Sequence, residues 1–153
     1  MRAVVTRTDA GALARIVENV RSMGLNKVEV GLPSGGRHSG TDLSMHELGM
    51  VHEYGSPTRG IPARPFIQPS IKDNTDKYKQ IMRSQAALLL FRRTSLHNAL
   101  SLVGEAGKAD IQKYMLSASF TPLSAATIER KGSSKPLIDT GQMRNGITYE
   151  IIR

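Results

Sequence analysis

"LHNALSLVGEAGKADIQKYMLSA", Leu96–Ala118, places apolar or small residues at Leu96, Leu100, Val103, Gly107, Ile111, Tyr114 and Ala118. The steps are 4, 3, 4, 4, 3 and 4, the spacing of one face of an α-helix. Gly104 and Gly107 interrupt an otherwise good helix former, each at about 1 kcal/mol relative to alanine. Such a cost points to close packing at both positions. Upstream, from about Pro69, Ile71, Tyr78, Ile81, Met82, Leu88 and Leu89 keep three-and-four spacing. These two segments are read as the main helices, either separate or as one long helix broken near Thr94-Ser95.

The rest of the chain is organised around them. "AVVTR" reads as a possible first strand, with Asp9 as the N-cap of a helix carrying Leu13, Ile16, Val17 and Val20 on one face and ending at Met23-Gly24. "KVEVGL" alternates Val28, Val30 and Leu32 with Lys27, Glu29 and Gly31, the pattern of a half-buried strand. A glycine-rich loop follows over Pro33 to Thr41. Ser44 with Glu47 three positions later is a capping box opening a short helix, which Gly55 and Pro57 stop. In the tail, Ser124 caps a short helix, Asp139 is read as the cap of another at Thr140 to Asn145, and Ile147, Tyr149 and Ile151 alternate in a last strand.

The expected architecture is one α+β domain spanning residues 1–153. It has a small, mostly antiparallel sheet including Lys27–Leu32 and Gly146–Ile152, packed by the two longer helices, with long loops. Hydrophobic residues make up 39% and aromatics 5%, with no Trp and seven Met, so the core must be aliphatic and methionine-rich. With no cysteine, disulfides, thiolate metal sites and cysteine nucleophiles are excluded. The longest apolar run, Ala86 to Phe91, is far too short to cross a bilayer, and the N-terminus lacks a signal-peptide core. The expectation is a soluble protein made inside a cell, without a membrane partner.

Positive evidence of chemistry is lacking. His38, His46, His52 and His97 include no pair at i, i+4, and "HEYGS" lacks the second histidine of a zinc protease helix. The loop at Gly31 to Gly40 reads Gly-Gly-Arg-His over 35–38 and lacks the Gly-Lys-Ser/Thr that contacts phosphate and magnesium. A serine-hydrolase elbow is absent as well. Neither a catalytic residue, a metal site nor a cofactor is expected. The formal charge of +8 makes an acidic protein surface or nucleic acid the plausible partner classes. Arg92, Arg93, Arg130, Lys131 and Lys135 are candidates for sequence-independent contacts to phosphate or to acidic surfaces, against the simpler reading of solvated charge.

"HEYGSPTRGIPARPF", His52 to Phe66, holds three prolines that keep it extended between helical patterns. Its opening "HEYGSP" (52–57), with "IPARPFIQPSI" (61–71) and "TPLSAATIERKGSSKPLIDTGQMRNGITYEI" (121–151), resembles a family of small virion-morphogenesis proteins of long-tailed phages, described as tail components, neck proteins or tail-completion proteins. The order and spacing match from about Val28 to Ile151. Ala125 stands where many relatives have proline, and the loop at Pro33 to Thr41 is the least typical part.

The resemblance implies a structural role in the virion, at the head–tail junction or tail end, in rings of six-fold character (a hexamer). The implied partners are copies of the chain itself, neighbouring neck or connector and tail-tube proteins, and DNA in the channel. Arg59, Arg64, Phe66 and Arg144 are then candidate interface residues. For "PARPF" the competing reading is that Phe66 packs into its own core. A terminator that stops tail or sheath polymerisation is the alternative within the class, and a free, basic DNA-binding protein the alternative outside it.

Overall fold

The computed structural model describes residues 10–34, 42–91, 93–132, 134, 136–137 and 141–153. Its elements in chain order are α1 (Ala10–Leu25), β1 (Lys27–Gly31), α2 (Met45–Tyr54), a 3-10 turn (Pro57–Arg59), α3 (Ile67–Asp73), α4 (Thr75–Leu90), α5 (Leu96–Ser117), α6 (Ala125–Lys131), α7 (Gln142–Asn145) and β2 (Thr148–Ile152). The protein is α+β, with one two-stranded antiparallel sheet among the described residues, packed against long helices. The expected strand at "AVVTR" and the caps at Asp9 and Asp139 lie outside the described residues.

Helix α5 is the spine. It touches both strands, α3, α4 and α7. The stripe read from sequence is on its buried side, but Ala99, Gly104 and Met115 are buried too. A helix packed by the sheet along one flank and by α3 and α4 along another buries more than one row. Ser95 caps α5, accepting a hydrogen bond from the Asn98 amide at 3.1 Å. The chain between Leu90 and Leu96 thus separates two helices.

A second break, at Asn74, divides α3 from α4. Asn74 Nδ2 donates to the Ser70 carbonyl at 2.9 Å, and Thr75 Oγ1 to the Ile71 carbonyl at 3.0 Å. Short polar side chains that bond their own backbone compete with helix continuation. Helix α3 begins at Ile67, two residues before Pro69, because an amide missing from the first turn has no intrahelical acceptor to lose.

The strands pair with Val30 opposite Tyr149 and Glu29 opposite Glu150. Alternation then sends Val30 and Tyr149 onto α5 and both glutamates to the outer face. The two glycines of α5 receive the inward side chains. A Cβ at Gly107 would lie 3.2 Å from Val30 Cγ2, and one at Gly104 would overlap the Cγ–Cδ2–Cε2 edge of the Tyr149 ring. The close packing inferred from sequence is present at both.

The core joins Leu32, Met45, Phe66, Ile111, Met115, Leu137, Met143 and Ile147. Leu137 holds a left-handed backbone at φ 62°, which costs a residue with a Cβ about 1–2 kcal/mol. Burying its side chain recovers roughly 1.5–3 kcal/mol.

Helices α4 and α5 are clamped by a polar cluster. Lys77 Nζ reaches both Asp110 oxygens at 2.7 Å, and Tyr78 Oη donates to Asp110 Oδ2 at 2.8 Å. Burial, reinforced by the bond to Asp110, pushes the Tyr78 hydroxyl well above the usual phenol value. The folded state therefore keeps a proton that the unfolded chain releases near pH ~10, so stability is full below that pH and falls above it. Urea midpoints measured through the alkaline range are expected to drop more steeply for the wild type than for Tyr78→Phe. Equal slopes would remove Tyr78 as the cause.

Candidate functional site

The proline-rich stretch between α2 and α3 is folded back on itself. Ser56 and Ile61 exchange backbone hydrogen bonds at 2.8 and 3.0 Å, closing a turn over Pro57–Gly60. Gly55 makes the entry possible: its φ is 77°, and a Cβ there would meet Ala63 N at 2.8 Å and Ile61 O at 2.9 Å. One residue upstream of Tyr54, Glu53 turns inward and is 6% exposed.

Glu53 is the organising group of this region. Its Oε2 accepts from the Phe66 amide at 2.8 Å and the Ile67 amide at 2.9 Å, and its Oε1 from the Gln68 amide at 2.9 Å. These are first-turn donors of α3, which has Phe66 at its cap and so lacks a side-chain acceptor of its own. A carboxylate suits the place, because the amides and the positive end of the helix offset its desolvation. The His52 carbonyl adds a bond from the Arg64 amide at 2.7 Å.

Arg64 ties this strap to a third segment. Its Nε donates to the Thr121 carbonyl at 2.6 Å and its Nη2 to the Pro122 carbonyl at 2.9 Å. The side chain is 5% exposed, and burial lowers its pKa from the ordinary guanidinium value. Phe66 is fully buried in the core. The guanidinium is held by the chain's own carbonyls, and the ring packs in the chain's own core, the competing reading of "PARPF".

The other expected site residues are dispersed. Arg59 is exposed at the end of the 3-10 turn, where Gly60 takes a left-handed φ of 63°. Arg144 is half-buried on α7, with Nε and Nη2 at 3.4 and 3.3 Å from Asn145 Oδ1. Arg93 is exposed after α4. Arg92 and Lys135, and the side chains of Arg130 and Lys131, lie outside the described residues. Helix α7 starts at Gln142 with Gly141 as its cap, shorter than the helix expected from Thr140.

Sequence reasoning missed a groove of about 540 Å³ between α2, α3 and the outer face of the sheet. Met50 and Tyr54 form its exposed apolar wall on α2, and Leu32 and Ile67 lie deeper. Glu29 and Glu150 stand on the opposite wall, side by side across the strands. The strand pattern marks both as solvent-facing, but only the register makes them neighbours.

Among the described residues, groups of His, Cys, Asp and Glu that could hold a metal ion are absent, and so is a helix long and apolar enough to cross a membrane. No family model, curated protein or solved structure matches the chain.

Proposed function

We propose that this chain is a structural subunit of a long-tailed phage virion, a ring-forming neck or tail-completion component needed to join tail to head. The observation that carries the reading is the wiring of the segments that bear the family resemblance. Glu53 of "HEYG" holds the amides of Phe66, Ile67 and Gln68, and Arg64 of "PARPF" holds the carbonyls of Thr121 and Pro122. Segments that occur together in sequence belong to one mechanical unit.

The surface supports an assembly role. Val20 and Leu25 of α1, Met50 and Tyr54 of α2, and Phe91 after α4 are exposed, Phe91 at 76%. Exposed apolar groups on several elements suit a subunit that meets more than one neighbour.

The test is electron microscopy of particles made when the gene is deleted from its phage. Full heads separate from finished tails are the expected result. Overlong tubes would assign the chain to tail or sheath termination instead. Normal infectious particles would overturn the virion role, and salt-dependent duplex binding by the isolated chain would then favour the DNA-binding alternative.

A further inference from the structure

We infer that the groove between α2 and the sheet is the seat for a second copy of this chain, which inserts the stiff turn carrying Arg59. The inference rests on the reading of the chain as an assembly subunit and names the contact by which copies meet.

Charge complementarity singles out the occupant. The chain is strongly basic, yet the described residues lining the groove include Glu29, Glu53 and Glu150 and no lysine or arginine. Glu53 is already engaged by three amides. Glu29 and Glu150 are exposed and directly opposed across the strands, an arrangement of like charges that destabilises the isolated sheet. Among the described residues lining the groove no lysine or arginine stands beside them, so a cation brought by another copy relieves that repulsion.

The opposite wall asks for something apolar. Met50 and Tyr54, 47% and 59% exposed, stand one helical turn apart on α2. A ligand matching both walls has a guanidinium beside aliphatic groups, and a Tyr ring is a good face for such a cation. Arg59 fits this description. It lies between Pro57 and Ile61 on a turn closed by the Ser56–Ile61 bridge, exposed and rigid, so that little conformational entropy is lost on insertion. Its planar fork suits two carboxylates better than an ammonium would.

The test uses the full chain in sedimentation equilibrium over a concentration series at low and high salt. Wild-type protein is expected to self-associate, more weakly as salt rises. The isosteric pair Glu29→Gln with Glu150→Gln should weaken association about tenfold or more while raising the unfolding temperature, and Arg59→Glu should weaken association by a similar factor. A general loss of structure would lower both quantities together.

Joining Glu29→Arg and Glu150→Arg to Arg59→Glu reverses both sides of the contact and should restore association. A wild type that stays monomeric throughout, variants that associate as tightly as wild type, or a reversed chain that is not restored would each overturn the inference. Such a result alongside separate heads and tails in the gene deletion would discredit this groove and leave the virion role standing.

Discussion

Replacing Glu53 by alanine is expected to lower the stability of the fold by about 3–5 kcal/mol, among the largest effects of any single substitution here. The carboxylate accepts from the amides of Phe66, Ile67 and Gln68, and its removal orphans three donors where the chain supplies no substitute. Each buried unsatisfied donor costs about 1–3 kcal/mol, and water reaching the vacated space would bring the sum toward the lower end. For a chain of this size the loss corresponds to roughly 10 °C in melting temperature. Glu53→Gln should lose less, about 1–3 kcal/mol, because its carbonyl oxygen can still accept from Phe66 and Ile67 while its amide nitrogen meets the Gln68 N–H as donor against donor. Thermal and urea unfolding of both variants check this. A loss under 1 kcal/mol in each would show that Glu53 does not organise the strap.

Gly104→Val is the second large effect, expected at about 3 kcal/mol. Helix propensity argues for the opposite sign, since valine is a better helix former than glycine by a few tenths of a kcal/mol. The steric term dominates because a Cβ at Gly104 would lie 2.8 Å from Tyr149 Cε2 and closer still to two other ring atoms. Relief requires the Tyr149 ring to leave α5, and with it the packing of β2. Gly24→Ala is the control. Nothing lies within 4 Å of its added carbon, so propensity should act alone and leave stability equal or higher. Combining Gly104→Val with Tyr149→Ala should recover part of the loss, as two residues in contact are not additive. Full additivity of the pair would move the cause away from the ring.

The consequences differ for the proposed role. Glu53 shapes the strap that presents Arg59 and the α2 wall of the groove, so its loss should disturb assembly as well as stability. Gly104 acts beneath the sheet, and its effect should be on stability first.

What the sequence determined by itself is local. Helix α5, the two glycines under the sheet, the capping box at Ser44 and both strands are legible because periodicity, caps and glycine cost act over a few residues. The lengths of α3 and α7 were less legible, since first-turn proline and a glycine cap leave weak marks. Only the tertiary structure decided what the polar residues of the strap do. Glu53 reads as an ordinary residue near the end of α2, and Arg64 as a candidate contact to a neighbouring subunit. Their partners lie 13 to 15 and 57 to 58 positions away, and no local pattern encodes a bond to a distant backbone amide or carbonyl. The same holds for Glu29 and Glu150: alternation puts each on an outer face, but the pairing register alone sets the two charges side by side at the edge of a groove.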